Sequence, residues 1–239
     1  MGIDLIGIQD EIRTYFGWSL QRDVDSANSL LSECNRMSES RGKWGLESRE
    51  GVLQSLQESL KSNAITILGA AAEVIDVEKA VTNNQRIIAA DGAVGVITEL
   101  KESDAAWNSL ICVVTDGDGE IEHLRLAAER GVPFVIHAHG DNNAQWKNLL
   151  EILILYESPI ILTHQTPLAI SGMHNPGGFT DGDRAVCFAI SIGAEPENLI
   201  LRGFSTDFIG RWTGSTNPER KMRKLEWMER ILGMLGVNF

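Results

Sequence analysis

Read only for apolar and polar positions, the 239-residue chain changes character near residue 63. Up to about residue 62, apolar side chains recur at helical spacing. Val24, Ala27, Leu30, Leu31 and Cys34 form one stripe, with Asp23 and Asp25 near its start. Val52, Leu53, Leu56 and Leu60 form a second stripe. Between them SESRGKWG (38–45) reads as a loop. Tyr15, Phe16 and Trp18 read as packing residues or, alternatively, as an aromatic lid over a ring-shaped ligand.

From Ala64 the pattern is a short continuous apolar run, then turn residues, then helical periodicity, repeated. The runs are ITIL (65–68), RIIAA (86–90), ICVVT (111–115), PFVIHAH (133–139), PIILTHQ (159–165) and NLILRGFS (198–205). Helical stretches cover 71–81, 120–130, 144–155 and 182–192, the last with Asp181 as its expected N-cap. A C-terminal helix starts at Asn217-Pro218 and carries Met222, Leu225, Met228, Ile231 and Leu232 at helical intervals. Short apolar runs without alternation suit strands buried on both faces. Strands alternating with helices imply right-handed crossovers and a mostly parallel sheet. The expected class is α/β: a mostly parallel, Rossmann-like sheet flanked by helices. A helical N-terminal segment (1–62) precedes an α/β catalytic domain (63–239) that ends in a long helix.

In such a sheet all strands end on one edge, where ligands bind. The residues just past each strand therefore map one surface. They are Gly69, Asp91-Gly92, Asp116-Gly117-Asp118, His137-Ala138-His139-Gly140-Asp141-Asn142 and His164-Gln165-Thr166. The segment Asn175–Arg184, rich in glycine, adds Asp181, Asp183 and Arg184. Acids after several different strands exceed what turns require. Two carboxylates in one tight loop repel each other unless a cation lies between them, and Mg²⁺ suits oxygen ligands. Asp91, Asp116 and Asp118 are therefore the candidate metal ligands. Gly69, Gly92 and Gly117 let backbone approach a ligand. Asp183 and Arg184 form a local ion pair, or Arg184 reaches a phosphate bidentately. His137 and His139 are either hydrogen-bonding residues or zinc ligands. Lys221 and Lys224 read as a solvated helix face.

Composition narrows the setting. A net charge of −12 with no basic run argues against nucleic acid. Cys34, Cys112 and Cys187 lack metal-ligand spacing and read as small apolar residues of a reducing compartment. No stretch reaches the roughly 18 apolar residues of a membrane span, and the acidic start is not a signal peptide. A cytoplasmic protein is expected, with no membrane partner; a homo-oligomer is left open.

ADGA (90–93), TDGDG (115–119), HAHGDN (137–142) and GFTDGDRA (178–185) occur in this order. In them the chain resembles the archaeal 6-hydroxymethyl-7,8-dihydropterin pyrophosphokinases, the MptE-like family, over about residues 64–232. The family's catalytic part is similar to that of thiamin pyrophosphokinase. The resemblance implies ATP- and Mg²⁺-dependent transfer of a diphosphoryl group to the hydroxymethyl of a reduced pterin, releasing AMP. This would be a step toward tetrahydromethanopterin or a folate-type carrier. It implies metal-binding roles for Asp91, Asp116 and Asp118. Gly69, Gly92, Gly117, Asn142 and Arg184 are the candidate ATP-binding residues. Asp181, Asp183 or His139 would accept the alcohol proton. Phe179, Phe204 and Trp212 are candidates for the pterin pocket. Two competing readings are a metal-dependent phosphohydrolase using His137, His139, Asp141 and the aspartate loop, and a non-catalytic nucleotide- or pterin-binding module.

Overall fold

The computed structural model describes residues 4–41, 43–61, 64–214 and 216–239. Three helices open the chain: α1 (Leu5–Phe16), α2 (Leu20–Arg41) and α3 (Leu46–Leu60). Then come β1 (Ile65–Leu68), α4 (Val74–Thr82), β2 (Arg86–Ala90), a 3-10 turn (Asp91–Val94), α5 (Gly95–Thr98), α6 (Asp104–Ser109) and β3 (Leu110–Thr115). The second half runs α7 (Ile121–Glu129), β4 (Phe134–Ala138), α8 (Asn143–Leu155), β5 (Ile160–His164), α9 (Asp181–Ser191), β6 (Leu199–Arg202) and α10 (Pro218–Met234).

The six strands form one parallel sheet in the order β5-β4-β3-β2-β1-β6. Every residue of β1, β3, β4 and β5 is buried, as continuous apolar runs require when both faces are covered. Alternate residues feed two cores. Leu68, Val113, Phe134, Ile136 and Leu162 pack with α4 to α8 on one face. Ile67, Ile88, Cys112, Val114 and Val135 pack with α1, α3, α9 and α10 on the other. The chain steps from β1 out to β5 with its helices on one face, then returns through α9 to place β6 beside β1. The direction of winding reverses between β1 and β6, and a crevice opens there.

The N-terminal helices join both cores. Ile8, Ile12, Leu56 and Leu60 enter one, and Ala27, Leu30 and Cys34 enter the other. The segment thus straddles the sheet edge at β5, which both α2 and α3 contact. The expected division at 62–63 lies outside the described residues. Part of the expected loop at 38–45 is helix, since α2 runs to Arg41. Ser, Glu, Ser and Arg are tolerated in a helix and do not stop one. Gly42 of that loop lies outside the described residues. The periodicity also passed over α5 and α6, which are too short to show a stripe.

Backbone packs on backbone above the crevice. A Cβ on Gly203 (φ +71) would sit 2.0 Å from the Ala72 nitrogen, and one on Gly210 would sit 2.3 Å from the Ala70 carbonyl. Gly131 has the same φ of +71 with nothing within 4 Å of its Cβ position. Gly131→Ala is therefore expected to cost only the left-handed conformation, about 1–2 kcal/mol. Gly203→Ala should cost clearly more, because β1 and β6 must part. Urea titration of the two variants checks the order; equal losses would remove the packing argument.

Candidate functional site

β2 ends at Ala90, and Asp91 comes next with φ +48, a left-handed conformation that aspartate tolerates better than most residues. Its carboxylate is buried and accepts a hydrogen bond from the Thr115 hydroxyl at the end of β3. Thr115 Oγ1 in turn accepts the Gly117 N–H at 2.8 Å. Gly117 (φ +88) runs so close to α8 that a Cβ would lie 3.0 Å from the Gln145 backbone. After this turn the two aspartates part company. Asp118 joins Asp91 and Asp181, each offering an oxygen within 4.8 Å of the others. Asp116 instead meets His139, at 3.1 Å from Nε2.

The electrostatics of the two groups are opposite. Asp91, Asp118 and Asp181 are all held above the usual carboxylate range. Burial is the first cause, and neighbouring aspartates are the next. Asp181 is pushed up to about 7. Three crowded acids without a cation would behave this way. Burial also acts on Asp116, but the hydrogen bond and charge of His139 outweigh it and hold Asp116 well below the usual range. His139 gives its other nitrogen to Asp141 at 2.9 Å. Burial works against its charge, yet the two carboxylates raise it to about 9. His139 is therefore an imidazolium at neutral pH. His137 is the reverse case. Burial pushes it well below its ordinary value, and it hydrogen-bonds Thr163 at 3.0 Å.

The remaining expected residues take mixed places. Asp183 accepts the N–H groups of Phe179 and Thr180 at 2.6 and 2.8 Å, and the Thr180 hydroxyl as well. This is a capping box with Thr180, so Thr180 and not Asp181 is the N-cap of α9. Asp181 lies one residue inside the helix and is free to face the crevice. Arg184, 2% exposed, donates to Asp181 at 2.7 Å and to the Phe179 carbonyl at 2.7 Å. The local ion pair is thus with Asp181, not Asp183. Its Nε is buried with no hydrogen-bond partner among the described residues. Asn142 ties the ends of β3 and β4 together, donating to the carbonyls of Asp116 and His137 at 2.9 and 2.7 Å. Gly69 borders the crevice. Gly92 lies under the Trp212 carbonyl, 2.3 Å from where a Cβ would stand.

These groups open into a cleft of about 1010 Å³, counted to its mouth in solvent. Gly69–Ala71 and Gly203–Ser205 line it with backbone, and Trp18, Phe179, Lys221 and Lys224 line it with side chains. The lysines correct the sequence reading of a solvated face. Lys224 is half-buried, with Nζ 5.4 Å from the Phe179 ring and 5.6 Å from that of Trp18. Which side of α10 would be covered is a tertiary fact. The available signal was the pairing of Lys221 and Lys224 at i and i+3 beside Leu225 and Met228. Trp18 was named in the sequence only among packing or lid residues.

Fold and cleft together define a class: a doubly wound α/β protein with an acidic, oxygen-only centre at the carboxyl edge of its sheet. No family model matches the chain. Curated relatives do. The chain is 38% identical over 160 residues to the 6-hydroxymethyl-7,8-dihydropterin pyrophosphokinase of Pyrococcus furiosus, covering 63% of this chain and 62% of that one. It is 32% identical to the enzyme of the same name from Methanothermobacter thermautotrophicus, over 67% of each chain. It is 29% identical to that of Methanocaldococcus jannaschii, over 95% of this chain and 92% of the other. The chain belongs to the 6-hydroxymethyl-7,8-dihydropterin pyrophosphokinase family, whose members are diphosphotransferases. Solved structures align only loosely: an N-acetylneuraminic acid synthetase from Leptospira borgpetersenii covers 79% of this chain and 80% of its own at 18% identity and a TM-score of 0.29. That likeness carries no argument.

Proposed function

We propose that the protein transfers the β,γ-diphosphoryl group of ATP to the hydroxymethyl of 6-hydroxymethyl-7,8-dihydropterin, releasing AMP. The step would serve a tetrahydromethanopterin- or folate-type cofactor and run in the cytoplasm. The observation that carries this reading is the trio Asp91, Asp118 and Asp181 at the carboxyl edge of the sheet, together with the relatives' common name. In the reaction a bond forms between the alcohol oxygen and the β-phosphorus. The bond from that phosphorus to the α,β-bridging oxygen breaks, AMP leaves with this oxygen, and the alcohol gives up its proton.

The trio fits Mg²⁺: its donors are hard oxygens, and their mutual repulsion is what a divalent cation relieves. When bound there, Mg²⁺ would neutralise phosphate charge and align the chain of phosphates. The protein's own side chains do the rest. His139, held protonated by Asp116 and Asp141, presents fixed positive charge at the cleft. Lys221 and Lys224 add more from α10. Such groups favour the charge that moves toward the leaving phosphate. His139 already carries its proton and Asp183 is committed to the start of α9. Asp181 is therefore the candidate left to accept the alcohol proton, and a carboxylate has lone pairs for both tasks.

The phosphohydrolase reading needs neutral histidines at the metal. Among the described residues the group with ligand spacing contains none. Incubation with ATP, Mg²⁺ and the dihydropterin is expected to yield AMP and the pterin diphosphate. ADP, or phosphate without pterin product, would count against the reading.

The raised carboxyls also set a pH dependence. A carboxyl whose pKa in the folded chain exceeds its unfolded value binds its proton better when folded. That contribution to stability is present at low pH and is lost as pH rises through the folded value, about 7 for Asp181. Mg²⁺ must displace those protons below this pH and need not above it. The Mg²⁺-induced rise in melting temperature should therefore be larger at pH 8 than at pH 6. Thermal melts with Mg²⁺ and with EDTA at the two pH values test this; an equal or reversed rise would refute it.

A further inference from the structure

We propose that the flat ring of the acceptor sits against Trp18 and Phe179, with Gln165 at its polar edge, while the nucleotide takes the β1–β6 side of the cleft. This rests on the diphosphotransferase reading above. The main cleft adjoins a second hollow of about 980 Å³, also open to solvent, between the α1–α2 turn and the loop after β4. Trp18, His139 and Gln165 border both spaces. The divide between them is thus an aromatic corner beside an imidazolium and an amide.

The corner is built to stay in place. Trp18 stacks on Phe16 with centroids 4.7 Å apart and planes at 18°. Its ring lies 5.8 Å from that of Phe179, tilted by 47°. Phe179 is 5% exposed, and its N–H is fixed by Asp183. A heteroaromatic ring gains from either the stacked or the edge-on approach that such a corner offers. Position then selects the acceptor over adenine. Phe179 precedes Asp181 by two residues, at most about 7 Å of chain. A ring lying on Phe179 therefore brings a one-carbon alcohol arm to the acids.

The amide supports the same orientation. Gln165 is anchored by Nε2 on Asp23 at 3.0 Å and by its carbonyl oxygen, which accepts from Arg13 at 2.7 Å. Its second amide proton has no other partner among the described residues. Its side-chain oxygen has only His137 Nε2, at 3.4 Å. One donor and one acceptor, edge-on, match the amide edge of a pterin-like ring. Two of the other aromatics that line the cleft already have partners. Trp212 gives its indole N–H to the Ala72 carbonyl at 2.9 Å and carries Arg211 4.4 Å from its ring. Phe204 packs on Phe239.

Calorimetric titration of wild type, Trp18→Ala and Trp18→Phe with 6-hydroxymethyl-7,8-dihydropterin, and separately with Mg·ATP, tests the seat. Trp18→Ala should weaken pterin binding about tenfold or more, the scale of one aromatic stack. It should leave Mg·ATP within about twofold, and Trp18→Phe should keep most of the pterin affinity. Unchanged pterin affinity in Trp18→Ala, or a loss that falls on Mg·ATP instead, would overturn the proposal. Melting curves guard against misfolding, and Trp18→Phe preserves the test if the alanine variant does not fold. Normal AMP formation with an unaffected Trp18→Ala sinks the seat alone. Pterin binding with the expected Trp18 dependence but no AMP sinks the transfer reading alone. No binding of the pterin by wild type sinks both.

Discussion

Asp118→Asn is expected to lower turnover by about 100-fold or more without loss of the fold. The amide keeps the shape of the side chain and removes the charge that would hold Mg²⁺, and one lost electrostatic contact at a reacting phosphate is typically worth this much. The same result is expected for Asp91→Asn. Asparagine is the right substitution there, since it too tolerates the left-handed φ of +48. Asp91 is buried and Asp118 exposed, and each lies among like charges, so either change relieves repulsion. The Mg²⁺-free variants should melt no lower than wild type. AMP release at saturating substrates, with melts in EDTA, gives both numbers. Near-normal turnover in both variants would remove the metal assignment.

Asp183→Ala is expected to fail in a different way, through stability. Its carboxylate satisfies three donors, the N–H groups of Phe179 and Thr180 and the Thr180 hydroxyl, and it is fully buried. Loss of the cap and the stranded donors should cost about 3 kcal/mol. For a chain of this size that is a fall of about 10 °C in melting temperature. Asp181→Asn, two residues away, keeps an acceptor for Arg184 and should melt near wild type while losing turnover. Scanning calorimetry beside steady-state kinetics separates the two aspartates. A stable Asp183→Ala would show that the capping box is not what holds the start of α9.

The sheet was legible because each strand is a short apolar run ending in a turn, and burial on both faces leaves little room for another reading. The edge residues came from parallelism alone. What the sequence did not settle was pairing. TDGDG puts Asp116 and Asp118 one glycine apart, and nothing in that string says that Gly117 would send them to different partners. Asp181 and Asp183 pose the same problem, decided by which one caps α9. His139 gains its charge from Asp116, 23 positions away in sequence. The inner face of α10 could not be read either. Its lysines become site residues only because Leu225 and Met228 pack into the core shared with α1 and α9 and bring Lys221 and Lys224 to the cleft.

The straddling N-terminal segment has a consequence for biosynthesis. Gln9 donates to the Gly178 carbonyl at 3.1 Å, Glu11 pairs with Arg230 at 2.8 Å, and Phe16 lies 5.7 Å from Phe179. Helix α1 thus waits for partners far along the chain, Gly178 following Gln9 by 169 positions. At about 5–20 residues per second, Ile8 and Ile12 spend roughly ten seconds or more as an unpartnered apolar stripe. During that interval a nascent-chain chaperone would find this stripe as its target.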